Sequence, residues 1–203
     1  TLDANLQTKA EEVVQARAET NEKNFNATNT GVIALDPSNG NILAMVGSRN
    51  YFDDKIDGNY NVTLADRQPG SAFKPFAYAE AFIKGYTPDT VLFDVPTQFS
   101  TSCAPEDTTN SKAPCYAPVN YDNKFLGPMT LRDAIAQSRN IPSVKVLYLA
   151  GITDTLRLAK AMGVSTLGDP NQYGLTLVLG GGEVTLLDMS SAYGVFAQNG
   201  MRY

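Results

Sequence analysis

Gln68-Pro69-Gly70-Ser71-Ala72-Phe73-Lys74-Pro75 opens the most informative element of this 203-residue chain. Proline is tolerated only near the first turn of a helix, so Pro75 requires the helix to begin close to Ser71. The pattern then reads as helical to Lys84, with Gly85 placed to end it. Ser71 and Lys74, three residues apart, share one helix face. The partial positive charge of a helix N-terminus favours an oxyanion and disfavours protonation of a nearby amine. Those facts give a physical route to a neutral Lys74 able to take the hydroxyl proton of Ser71. The four residues Ser-x-x-Lys alone equally describe a capping serine followed by a solvated lysine. The choice depends on what surrounds them.

Upstream, Leu6 to Ala18 has apolar residues at roughly helical spacing, with Asp3 as N-cap. Glu19 to Thr30, rich in Asn and poor in apolar residues, reads as loop. Gly31 to Leu35 and Asn41 to Val46 are short apolar runs joined by Asp36-Pro37-Ser38-Asn39-Gly40, which predicts an antiparallel hairpin. Ser48 to Arg67 shows no clear period and reads as loop. Downstream, Thr90 to Tyr121 reads as a long excursion with short strands at most. Helices are expected over Thr130 to Gln137, Val144 to Ala150 and Asp154 to Met162, and a last one over Thr185 to Gln198 with Thr185 as its cap. There is no internal repeat and no low-complexity tract.

Composition narrows the chemistry. The net charge is −5 with 16 scattered basic residues, which argues against a nucleic-acid partner. The chain has no histidine, which removes the Ser-His-Asp triad, the Cys-His dyad and the two-histidine zinc motif. A nucleophilic serine here needs another base, and lysine is the usual substitute. No run of 18 apolar residues spans a membrane, and the first residues resemble no signal peptide. Whatever exports or anchors the parent protein is therefore expected outside these residues. Two cysteines, Cys103 and Cys115, flank a loop rich in Pro, Asp, Thr, Asn and Ser. Two thiols make a poor zinc site. A disulfide, implying an oxidising compartment, and a pair of free surface thiols both remain open from spacing alone. Gly180-Gly181-Gly182 lacks a following Lys-Ser/Thr, so it reads as a turn rather than a phosphate loop. Phe73, Phe76, Tyr78 and Phe82 read as packing for the helix that carries Ser71.

The string from Gln68 to Pro75 resembles the active-site motif of class A, high-molecular-mass penicillin-binding proteins, and the resemblance continues along the chain. Thr1-Leu2-Asp3 with Leu6-Gln7 is similar to the opening of that family's transpeptidase domain. Gly31 to Pro37 followed by Gly40 to Gly47 resembles its first hairpin. Asn120-Tyr121-Asp122 with Gly127 to Arg132 resembles the approach to its second motif, and Glu183-Val184-Thr185 with Ala192-Tyr193 the helix leading towards its third. The second motif is Ser-x-Asn, for which Ser48-Arg49-Asn50 and Ser138-Arg139-Asn140 both qualify. Only the latter follows the nucleophile in the family's order, so Ser138 and Asn140 are the expected partners. The resemblance implies that Ser138 relays a proton between Lys74 and the leaving nitrogen. It also implies that Asn140 holds Lys74 and bonds the substrate backbone.

The implied fold is an α/β (α+β) architecture, the α/β/α sandwich with an antiparallel sheet shared by penicillin-binding proteins and serine β-lactamases. Residues 1–203 would form its N-terminal and central part. The third motif, Lys-Thr-Gly or Lys-Ser-Gly, is absent from the sequence, so the fold is expected to be incomplete without a C-terminal part of the same domain. The implied activity is peptidoglycan transpeptidation on stem peptides ending in D-Ala-D-Ala, with an amine acceptor, β-lactams as inhibitors and no metal or organic cofactor. The implied location is extracytoplasmic, on the outer face of the bacterial cytoplasmic membrane, often behind an upstream glycosyltransferase domain. A serine β-lactamase or DD-carboxypeptidase, and a non-catalytic cell-wall binding module, are the rival readings.

Overall fold

The computed structural model describes residues 2–203. The chain divides into two compact units, one holding the residues up to Gln68 with Ala159–Leu167 and Glu183–Tyr203, the other Pro69–Leu158 with Gly168–Gly182.

In the first unit, α1 (Ala4–Phe25) is capped by Asp3, whose carboxylate accepts from the amides of Asn5 and Leu6. The helix runs past Ala18, through most of the segment expected to be loop, and stops at Asn26 in the left-handed conformation. Val14 and Ala18 are its buried residues. The last two turns lie largely in solvent, so the apolar period ends before the helix does. Strands β1 (Val32–Leu35) and β2 (Ile42–Val46) form the expected antiparallel hairpin, with Val32 opposite Val46. The Gln7 side chain ties α1 to β2, accepting from the Met45 amide at 2.8 Å and donating to the Met45 carbonyl at 3.0 Å. The last helix, designated α6 (Leu186–Ala197), packs on β1 under its expected Thr185 cap.

The second unit begins with a 3₁₀ turn over Gly70–Phe73 that leads directly into α2 (Lys74–Ile83), with Pro75 in the first turn. Strands β3 (Val91–Asp94) and β4 (Gly127–Thr130) pair antiparallel. Strand β4 was hidden from the sequence reading by Gly127 and Pro128, both poor strand formers. Helix α3 (Leu131–Ala136) follows under a Thr130 cap, and α4 (Asn140–Ala150) starts four residues earlier than expected. Pro142 lies within the first turn of α4, where it needs no intrahelical partner. Helix α5 (Ile152–Met162) crosses the boundary between the units along the sequence. A further 3₁₀ segment covers Leu175–Leu179.

The core of this unit is the α2–α4 contact. Phe73, Phe76, Ala77, Tyr78 and Ala81 are buried with Ile141, Val144 and Leu147. The Tyr78 hydroxyl lies 3.1 Å from that of Ser143. The architecture is thus mixed α/β with antiparallel strands, as expected, and the described strands form two separate two-stranded sheets. Cys103 and Cys115 are joined by a disulfide, with Cα atoms 5.6 Å apart. No helix among the described residues is long and apolar enough to cross a membrane.

Candidate active site

The 3₁₀ turn at Gly70–Phe73 sets the relation between Ser71 and Lys74. With three residues per turn, side chains at i and i+3 eclipse one another, and the Lys74 amide donates to the Ser71 carbonyl. Ser71 is exposed, whereas Lys74 is 1% exposed. Gly70 adopts φ +58°, a region that favours glycine. Against it packs Gly180, the residue ending the Leu175–Leu179 3₁₀ segment at φ +89°. A Cβ on Gly180 would overlap the backbone nitrogen and Cα of Gly70. Gly180 therefore permits a backbone-to-backbone approach at the turn that presents Ser71.

The Lys74 ammonium donates to the Asn140 Oδ1 atom at 2.8 Å, to the Ser138 carbonyl at 2.7 Å and to the Ser138 hydroxyl at 3.1 Å. The structure therefore brings together Lys74, Ser138 and Asn140. Ser48 and Asn50 lie in the other unit, where the Ser48 hydroxyl donates to Asn29 and to the Asn50 carbonyl. The orientation of the Asn140 amide is fixed by its Nδ2 donating to the Val119 carbonyl at 2.8 Å, which leaves Oδ1 for Lys74. Ser138 holds φ +52° immediately after the Gln137 C-cap of α3, its amide donating to the Ile135 carbonyl, so it closes that helix as it leads into α4.

Burial is the larger cause, and the Arg139 charge the second, that pushes Lys74 from its usual 10.5 down to about 8. Both causes act at the N-terminus of α2, the end whose partial positive charge also disfavours protonation. A neutral amine has two N–H donors and a lone pair, and a carbonyl or amide oxygen cannot donate to that lone pair. Of the three partners only the Ser138 hydroxyl could donate to that lone pair, which otherwise stays open to another hydroxyl donor.

Sequence reasoning missed the polar network behind these residues. Arg139, 2% exposed, donates through Nε to Asp94 at 3.0 Å, through Nη1 to Asp122 at 3.0 Å, and through Nη2 to the Lys124 carbonyl. Asn120, also buried, donates to Asp94 and to the Lys124 carbonyl, each at 2.8 Å, and accepts from the Asn140 amide at 2.8 Å. One signal was available: Asp94 is a lone carboxylate inside the apolar run Val91 to Val95, and buried acids need partners. No cluster of three or more metal-ligating side chains occurs among the described residues.

The model of the penicillin-binding protein transpeptidase domain matches residues 30–203. Penicillin-binding protein 1A of Rickettsia bellii is 34% identical over 174 residues, covering 86% of this chain and 20% of the relative. The same-named protein of Pseudomonas aeruginosa is 34% identical over 177 residues, 87% of this chain and 20% of its own length. The chain thus spans about a fifth of the length of the curated relatives it matches. Among solved structures, penicillin-binding protein 1A from Haemophilus influenzae superposes with TM-score 0.68 at 32% identity, over 83% of this chain and 23% of that one. The PonA1 protein from Mycobacterium tuberculosis in complex with penicillin V gives TM-score 0.69 at 20% identity, over 94% of this chain and 50% of that one, a likeness that bears on the fold.

Proposed function

We propose that this chain, which belongs to the penicillin-binding protein transpeptidase domain family, contributes Ser71 as nucleophile and Lys74 as general base to peptidoglycan cross-linking. The observation that carries this reading is the buried Lys74, three residues from an exposed Ser71 and bonded to both Ser138 and Asn140. In the first step, Lys74 takes the Ser71 proton as the oxygen attacks the carbonyl of the penultimate D-alanine in a donor stem peptide. The tetrahedral intermediate collapses, the C–N bond breaks, and the terminal D-alanine leaves as an amine. Its proton comes from Lys74 through the Ser138 hydroxyl, the partner able both to donate to and to accept from the amine. An acceptor amine from a neighbouring stem peptide then attacks the ester, giving up a proton along the same route and restoring Ser71.

β-Lactams enter as mimics of the donor, the ring amide opening on Ser71 to leave a slowly hydrolysed ester. In this reading, a strand bearing Lys-Thr-Gly or Lys-Ser-Gly completes the oxyanion hole. That tripeptide does not occur in these 203 residues, and an oxyanion donor is typically worth about 10²–10³ in rate. The substrate places the protein on the extracytoplasmic side of the membrane.

The test is intact-mass spectrometry of the complete protein with penicillin, followed by peptide mapping. One adduct is expected on Ser71, lost in Ser71→Ala. An adduct on any other residue would overturn the assignment, and release within milliseconds to seconds would indicate a hydrolase.

A further inference from the structure

Arg139, beside the site, is locally unfavourable where it stands. Ser138, at φ +52°, is a left-handed stop for α3, its amide donating to the Ile135 carbonyl at 3.0 Å and that of Arg139 to the Ala134 carbonyl at 2.9 Å. Arg139 occupies the N-cap of α4 and makes no capping bond, although that position favours Ser, Thr, Asp or Asn. The missing cap is supplied from elsewhere: Asn120 Oδ1 accepts from the amides of Asn140 and Ile141, at 2.8 and 3.5 Å. A cap position filled by Arg139 and made good from outside the helix points to a demand other than helix stability.

That demand is visible in the Arg139 side chain. Its guanidinium is enclosed by Asp94, itself fully buried, by Asp122 and by the Lys124 carbonyl. Asn120 connects the same Asp94 to the first turn of α4. The residues on either side of Arg139 are the two that hold Lys74. We propose that Arg139 is a positioning residue whose fork, gripped by Asp94 and Asp122 and linked through Asn120 to Asn140, fixes the Ser138–Asn140 turn against Lys74 and keeps a permanent positive charge beside that amine. This rests on the reading of Ser71 and Lys74 given above. Lysine at position 139 would supply charge without the planar fork that matches two carboxylates.

The other charged or titratable groups in the packed surroundings are Asp94 on β3, Asp122 and Lys124 in the loop, and Lys145 on α4, whose ammonium donates to the Phe93 carbonyl at 2.7 Å. Tyr78 and Glu80 are buried on α2, and Arg132 and Asp133 are exposed on α3. The charge of Arg139 is the one that acts on Lys74, second to burial.

The experiment measures the second-order rate of penicillin acylation against pH in the complete protein, for wild type, Arg139→Lys, Arg139→Gln and the double variant Arg139→Gln/Asp94→Asn. Folding of each is checked by thermal melting, and rates are taken per folded molecule. Arg139→Lys is expected to lose about tenfold in rate with the basic limb unmoved. Arg139→Gln is expected to lose on the order of 10²-fold, as for a misplaced catalytic group, and to shift its limb to higher pH. The double variant preserves the charge count and leaves no unpaired buried carboxylate at Asp94. It serves if Arg139→Gln does not fold, and should lose rate with the limb in place. Wild-type rates in the folded double variant, or an unshifted limb in folded Arg139→Gln, would overturn the proposal. Wild-type adduct mapping separates the two ideas. An adduct away from Ser71 refutes the site itself, while an adduct on Ser71 with indifferent Arg139 variants refutes only the positioning role.

Discussion

Gly180 meets Gly70 backbone to backbone: a Cβ on Gly180 would overlap the Gly70 nitrogen and Cα and lie 2.9 Å from the Gly70 carbonyl oxygen. Neither obstacle is a flexible side-chain end, so an added methyl must displace the turn that carries Ser71. A misplacement of about 1 Å in a reacting group costs on the order of 10²-fold in rate. Gly180→Ala is therefore expected to lose about that much in penicillin acylation. Gly174→Ala is the control, since a Cβ at the start of the same 3₁₀ segment meets nothing within 4 Å. Equal acylation rates in the two variants would show that this approach does not hold the nucleophile.

The Gly180–Gly182 run illustrates what a sequence hides. Its glycines announce a turn, but the strand of chain that approaches Gly180 lies more than 100 residues away along the sequence. Local signals were legible because their physics is local. The caps Asp3, Thr130 and Thr185, the Asp36–Gly40 turn and the Pro75 restriction each act within a few residues, and each element starts where they place it. The Ser-x-x-Lys spacing was legible for the same reason. Choosing Ser138-Arg139-Asn140 over Ser48-Arg49-Asn50 took the resemblance, because both tripeptides look alike. The Arg139–Asp94–Asp122–Asn120 network was out of reach: pairing across 45 residues leaves no periodicity, and charged residues are ordinarily read as solvated. The end of α1 was misplaced because its final turns bury little.

Asn140 offers a test of the opposite sign from Arg139. Its Oδ1 accepts from Lys74 at 2.8 Å, so Asn140→Asp puts a negative charge beside the amine in a side chain of the same shape, and gives up the Nδ2 bond to the Val119 carbonyl. An opposite charge at that range raises the pKa of a cation by about 1–3 units. Wild-type acylation is expected to rise with pH through about 8, the value to which Lys74 is lowered. Asn140→Asp should move that limb upward and label poorly at neutral pH, recovering part of its rate in alkali. A pH-rate curve superposable on that of wild type would mean that Lys74 is not the group being titrated.

The disulfide between Cys103 and Cys115 closes a loop with sequence separation 12. The loop is organised internally, with Gln98 donating to the Asp107 carbonyl and accepting from the Tyr116 amide, and Asn110 donating to the Ala117 carbonyl. Closure of a loop this size lowers the entropy of the unfolded chain by about 3 kcal/mol at room temperature in the chain-entropy model. Replacing both cysteines by serine is expected to destabilise the domain by up to that amount in urea unfolding. A loss below about 1 kcal/mol would place the loop outside the cooperative unit.

Lys74 also predicts how stability should depend on pH. Its folded value, about 8, lies below the 10.5 of an unperturbed lysine, so the unfolded chain binds the proton more tightly. Below about pH 8 both states are protonated and the full penalty of a buried ammonium is present, about 3 kcal/mol for a difference of this size. Between about pH 8 and 10.5 the folded state has released the proton while the unfolded state still carries it. Stability from this group therefore rises with pH across that window and levels off above it. Lys74→Met removes the titration, and its stability relative to wild type should be greatest near neutrality and fall by about 3 kcal/mol towards pH 10.5. The comparison cancels the other titrating groups, because both proteins carry them. A wild-type minus Lys74→Met difference that is flat from pH 7 to 10.5 would show that the amine titrates alike in the folded and unfolded chains, and the base assigned to Ser71 would have to be sought elsewhere.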